Sequence, residues 1–162
     1  MRLLLGCACF ALLATPALAT RTSLGTFEGW GAFRDDQPLR CYAIAEPLRK
    51  STKAAWRAFA SVSHWPGQGV RGQTHVRLSR ERSSEAVTTL RIGERRFVLV
   101  GGGADAWAPD ARTDAAIVAA MRNAQSMTID SRDGQGRGFS DTYRLRGAAT
   151  AIDAAALGCV RR

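Results

Sequence analysis

The chain has 162 residues, 23 of them Lys or Arg against 14 Asp or Glu, for a formal charge of +9, and 46% of its residues are hydrophobic. That length suits one domain, and the composition is that of a globular chain rather than a disordered or collagen-like one. No apolar run reaches the roughly 18 residues a membrane span needs, which argues against a multi-pass membrane protein, as the length does against a multi-domain enzyme.

The first element reads as a targeting segment. Arg2 supplies a positive start, Leu3 to Ala14 is a short apolar run, Pro16 breaks it, and Ala17-Leu18-Ala19 is the small-x-small pattern of a secretory cleavage site. The expected division is a signal peptide over 1–19 and a single β-rich domain over 20–162. Leu4-Leu5-Gly6-Cys7 looks superficially like a lipoprotein box, but the apolar run continues past Cys7, so lipidation is not expected. Cleavage after Ala19 removes Arg2, Cys7 and Cys9 and leaves 143 residues, a charge of +8, and the cysteines Cys41 and Cys159. Two cysteines in an exported chain read as one disulfide, the alternative being two buried thiols. Closing a loop of 118 positions would stabilise the fold by about 4–5 kcal/mol in the chain-entropy model.

Beyond the leader the periodicity is mostly two, the strand period. Phe27 to Phe33 is the first candidate strand, closed by Asp35-Asp36-Gln37-Pro38. Leu39 to Ala45 is the second, with Leu39, Cys41, Ala43 and Ala45 on one face, so Cys41 is expected to point inward. Residues 46–55 read as a polar loop. Trp56 to Ser63 is a third strand, followed by a turn over His64 to Gly69. Thr74 to Arg80 places Val76 and Leu78 inward and His75 and Arg77 outward. Ala86 to Ile92 and Arg95 to Val100 flank Gly93-Glu94, the pattern of a type II′ hairpin. Phe97-Val98-Leu99-Val100 is apolar on both faces, which predicts a central strand. Ser126 to Arg132 and Phe139 to Leu145 flank a glycine-rich loop and form a second hairpin.

Two segments have helical character. In Thr113 to Arg122, Ile117 and Met121 lie four apart, Asp114 sits in the first turn, Pro109-Asp110 sets the entry and Asn123 can cap the end. Ala148 to Leu157 is Ala-rich and ends at Gly158, delivering Cys159 to its partner. The fold class expected is mainly β: an antiparallel β-sandwich or barrel-like domain of about eight strands with two short helices.

Charge is unevenly spread. Residues 40–57 and 71–96 each carry a net +4, and residues 98–130 carry −2. Arg77, Arg80, Arg91, Arg95 and Arg96 are the candidates for a basic binding face, with Arg95 and Arg96, as neighbours in a strand, pointing to opposite sides. A basic surface attracts polyanions through a field that salt weakens. For an exported chain these are anionic envelope or host components, or another protein, and not nucleic acid. The same charge also reads as solubility combined with an Arg-rich codon bias.

Chemical motifs are few. His64 precedes Trp-Pro and His75 lies on an outward strand face, and no Gly-x-Ser-x-Gly surrounds a serine, so no hydrolytic triad is assembled. Two separated histidines and two paired cysteines make no metal site, so neither a metal nor a cofactor is expected. Gly101-Gly102-Gly103 follows a strand, but lacks the Lys-Ser/Thr and the helix start of a phosphate loop. Asp141 shares a strand face with Phe139, Tyr143 and Leu145. A carboxylate aimed at a core must be bonded, to an Arg or a backbone N–H. The alternatives are a ligand or catalytic role and an exposed position.

The order of these segments resembles the invasion-associated locus B family of Gram-negative envelope proteins. The stretches that carry the likeness are Phe33 with Cys41-Tyr42-Ala43 and Glu46-Pro47, Ala60 to Pro66, Ile92-Gly93 with Phe97-Val98-Leu99, Ala104 to Ala108, Ile117 to Met121, Asp141 to Leu145, and Cys159. They span most of residues 27–159. The resemblance implies an exported, disulfide-bonded, β-rich domain with no defining enzyme activity. Where a Ser-x-Arg-Gly-Thr-like loop would precede the Asp-Thr-Tyr segment, this chain has Gly134 to Phe139, so no loop contact is carried over. The function expected is that of a non-enzymatic periplasmic, surface or secreted protein that binds an envelope or host component. The alternatives are a periplasmic enzyme with a site near Asp141, and an envelope stress protein without a dedicated ligand.

Overall fold

A computed structural model of the chain describes residues 20–49 and 56–160. Ten strands form one open antiparallel sheet: β1 (Arg21–Phe27), β2 (Trp30–Asp36), β3 (Leu39–Ala45), β4 (Phe59–Trp65), β5 (Val70–Arg77), β6 (Thr88–Ile92), β7 (Arg95–Gly102), β8 (Asp105–Trp107), β9 (Ser126–Arg132) and β10 (Gly138–Arg144). Their spatial order is β1-β2-β3-β4-β5-β8-β7-β6-β9-β10. Two helices, α1 (Ala111–Met121) and α2 (Ala148–Gly158), complete the domain. The mainly β, antiparallel class with two helices is as expected, but the strands number ten rather than about eight and form one open sheet rather than a sandwich or barrel.

The differences have local causes. β1 is an exposed edge strand whose Arg-Thr-Ser-Leu-Gly-Thr-Phe run has no alternation to read. The strand expected over 27–33 straddles a turn: Glu28 adopts φ 55°, in the left-handed region, and reverses the chain between Phe27 and Trp30. β8 has three residues, too few to show a period. β4 begins at Phe59 instead of Trp56 and runs through His64 and Trp65, so the turn starts only at Pro66, where the N–H needed for the ladder is missing. β7 is central in the sheet, but one of its faces is open: Val98 and Val100 are exposed. The loop expected over 46–55 lies partly outside the described residues.

The sheet bends around a core of Trp30, Leu78, Leu90, Ile117, Met121, Ile129 and Tyr143, each at most 2% exposed. At roughly 1.5–3 kcal/mol per fully buried large apolar side chain, this cluster is the main source of cohesion. Trp30 Nε1 donates to the Arg144 carbonyl at 2.8 Å, and Leu48 N donates to the Thr142 carbonyl at 2.8 Å. Thus β10 is brought against β2 and against the segment leaving β3, although no ladder joins β1 to β10 among the described residues.

The helices cover the concave side. α1 packs on β5, capped by Asp110, whose carboxylate accepts from Thr113 N at 2.7 Å. Asp114 is buried and accepts from Thr74 N at 2.7 Å, stitching α1 to β5. α2 packs on β1, β2 and β3 and is fixed at both ends. Gly147, at φ 86°, precedes it so closely to Phe27 that a Cβ would lie 2.0 Å from the Phe27 carbonyl oxygen. At the other end Cys159 forms the expected disulfide with Cys41, with Cα atoms 5.7 Å apart.

Candidate functional site

With the inner face filled, the functional candidates lie on the outer face. Register fixes their neighbours. One row crosses seven strands: Val100, Trp107, His75, Ser61, Ile44, Gly31 and Thr26 are successive cross-strand partners. On either side run Asp105-Arg77-Phe59 and Ser63-Tyr42-Phe33. Period-two alternation thus brings aromatic rings and guanidinium groups together on the same convex surface.

In the middle of this face, the His75 ring stacks on Trp107 with centroids 4.8 Å apart and meets Phe59 edge-on at 5.2 Å. Asp105 bonds both His75 Nε2 and Arg77 Nη1 at 2.8 Å. His75 is therefore on the outward face as expected, but half-buried among partners. No hydroxyl is bonded to its ring nitrogens among the described residues.

Toward β1, Asp35 accepts from Arg21 Nε at 2.9 Å and from Arg40 Nη2 at 3.1 Å. Burial alone would raise the Asp35 carboxyl, but the hydrogen bonds and charges of Arg21 and Arg40 together hold it below the ordinary carboxylate range. The Arg40 guanidinium lies over Tyr42 at 4.2 Å and over Trp65 at 5.0 Å, within cation–π reach. These side chains open on a cleft of about 350 Å³ lined by Arg21, Asp35, Gln37, Pro38, Arg40 and Trp65. Sequence reasoning misses this cluster because it takes Asp35 as a turn signal and Trp65 as part of a turn. The signal is present: a hairpin about Gln37-Pro38 sets Asp35 opposite Arg40.

Toward β9 and β10, a broader groove of about 540 Å³ is lined by residues including Arg49, Val87, Asp130, Arg132 and Phe139. Arg91 and Arg96 stand beside it as direct cross-strand partners. Arg91 Nε donates to Asp130 at 2.6 Å, and Ser140 donates to the same carboxylate. Burial pushes the Asp130 carboxyl up, but Arg91, Ser140 and the nearby charge of Arg96 together bring it below its ordinary value.

The five arginines singled out in the sequence do not gather at one place. Arg91 and Arg96 are together. Arg77 sits in the row of Asp105 and Gly102, six residues along β7 from Arg96, about 20 Å away at the strand rise. Arg80 turns toward Asp133 at 3.5 Å and over Phe139. Arg95 lies across from the buried Ile92, donating to the Ala116 carbonyl of α1.

Asp141 takes the bonded core position. It is 3% exposed, and its Oδ2 accepts from Ser79 N at 2.8 Å, tying β10 to the segment after β5. Neither cleft described above includes it. Burial, and next the charge of Asp141, push the neighbouring Tyr143 hydroxyl strongly upward. His64 is in β4 opposite Cys41 rather than in a turn, and burial, followed by the charge of Arg71, lowers its imidazole. No group of three or more His, Cys, Asp or Glu capable of holding a metal occurs among the described residues, and none of their helices is long and apolar enough to cross a membrane.

Comparison of the chain with family models, with curated proteins and with solved structures finds no match.

Proposed function

We propose that this chain is an exported envelope or surface protein, of the invasion-associated locus B kind, that works by binding an anionic glycan-bearing or lipid component of the envelope or of a host surface. The observation that carries this reading is the placement of Arg91 and Arg96 side by side on the outer face, next to a groove that also carries Arg49 and Arg132. Asp130 is the carboxylate bonded to Arg91 there, so the cluster holds more positive charge than its acid neutralises. Arginine forks suit phosphate and carboxylate groups, and each exposed cation contributes about 1 kcal/mol at an anionic lipid surface. Several together give weak, salt-sensitive attachment.

Two features support export. The Cys41–Cys159 bridge belongs to an oxidising compartment, and the leader pattern precedes β1. The test is to express the whole chain in a Gram-negative host. Periplasmic protein should have an intact mass lacking residues 1–19, and it should bind anionic vesicles at low salt and leave them at high salt. Protein retaining Met1, or attachment indifferent to salt, would contradict the proposal.

A further inference from the structure

We infer that the cleft between the β2–β3 hairpin and Trp65 is a subsite for an acidic sugar, a pyranose unit bearing a carboxylate. This rests on the reading of an anionic glycan partner and names the unit recognised. The cleft encloses about 350 Å³, within the range of small-molecule sites. Its walls supply the three chemistries such a unit requires.

A carboxylate is met by guanidinium groups. Arg21 spends Nε on Asp35 and Arg40 spends Nη2, and each fork has five N–H donors, so further donors of both remain uncommitted among the described residues. The shared Asp35 holds the forks in place and leaves the trio a net charge of +1. That balance matches one planar carboxylate better than a phosphate carrying nearly two charges. Sugar hydroxyls are met by the Asp35 carboxylate and the exposed Gln37 amide, one an acceptor and the other both donor and acceptor. The apolar face of a ring is met by half-buried Trp65 and by Pro38. Trp65 is oriented by its place at the end of β4 and by Arg40 over its ring, so little ordering is needed on binding.

The experiment is calorimetric titration of the disulfide-bonded mature protein with a short hexuronic acid oligosaccharide, with the same oligosaccharide after carboxyl reduction, and with a phosphorylated neutral counterpart. The acidic sugar should bind at least about tenfold tighter than either of the others. Arg40→Gln, Trp65→Ala and Gln37→Ala should each weaken it, while attachment to anionic vesicles persists. Among the described residues no hydrogen bond joins Gln37 to Arg21, Asp35 or Arg40, so Gln37→Ala reports on the cleft even where Arg40→Gln disturbs folding. Equal binding of acidic, neutral and phosphorylated sugars, or full affinity in both Trp65→Ala and Gln37→Ala, would overturn the subsite. Vesicle attachment without sugar discrimination counts against the cleft alone. Sugar discrimination without vesicle attachment counts against the Arg91–Arg96 surface alone.

Discussion

Arg91 and Arg96 face each other directly across the β6–β7 ladder on the outer surface of the sheet, and the carboxylate of Asp130 is bonded to Arg91. Like charges directly opposed weaken a ladder. Asp130 offsets part of that repulsion in the free protein, and an anion bound as proposed would relieve the rest. Arg96→Thr is therefore expected to raise the urea midpoint slightly while weakening attachment to anionic surfaces. A stabilised variant with undiminished attachment would separate the pair from binding.

The disulfide closes 118 positions of sequence. Its removal in Cys41→Ser with Cys159→Ser should lower stability by about 4–5 kcal/mol in the chain-entropy model. Urea unfolding with and without reductant checks this, and coincident curves for the wild type would contradict it.

Asp141 is a structural carboxylate by its bond to Ser79 N. Truncation in Asp141→Ala leaves that donor without its acceptor, at an expected cost of about 1–3 kcal/mol. Asp141→Asn retains an acceptor oxygen and should cost less. Equal losses in chemical denaturation of the two variants would count against the bond to Ser79.

The start of α2 is set by Gly147 at φ 86° against the Phe27 carbonyl. Gly147→Ala combines a left-handed conformation with a backbone clash and should cost more than the roughly 1–3 kcal/mol of the conformation alone. A Cβ added at Gly134 would meet nothing within 4 Å, and the residue has no positive φ, so Gly134→Ala should be close to neutral. Thermal melts of the two variants decide.

Asp35, Asp110, Asp130, Asp133 and Asp153 have carboxyls below the ordinary range. For Asp153 the hydrogen bond from Arg122 is the chief cause. A depressed carboxyl contributes stability that is present above its unfolded value, near 3.9, and lost as pH falls through its folded value. Asp114 has the opposite sign: burial raises its carboxyl despite the bond from Thr74, so its contribution declines as pH rises past 3.9. With five groups against one, the melting temperature should fall as pH drops below about 4. Asp130→Asn should flatten that fall, and an unchanged slope would contradict the pairing.

Much of the scaffold is legible in the sequence because its signals are local. β3 reads with its observed bounds, since Leu39 to Ala45 alternates between a Pro-containing turn and Glu46-Pro47. β9 is equally clear, and the glycine loop after it sets the start of β10. Asp141 is readable because Phe139, Tyr143 and Leu145 define its face. The candidate sites are less legible because they depend on register between distant strands. Nothing near Trp107 points to His75, and nothing near Trp65 points to Arg40. Each pair meets only once β8 has joined β5 and β4 has extended to Trp65. The basic face is over-read for the same reason: a charge sum along the chain does not show that Arg95 turns to α1 while Arg80 turns to Asp133.

Binding of an anion by the outer face is tested most directly by co-sedimentation with lipopolysaccharide aggregates at low and high salt, for the disulfide-bonded protein of residues 20–162 and for its Arg91→Glu with Arg96→Glu variant. The wild type should sediment at low salt and be released at high salt. The charge-reversed protein, with its melting temperature retained, should stay in the supernatant at both. Sedimentation of the reversed protein to the same extent as the wild type, or sedimentation that salt does not alter, would contradict the assignment of this surface to an anionic partner.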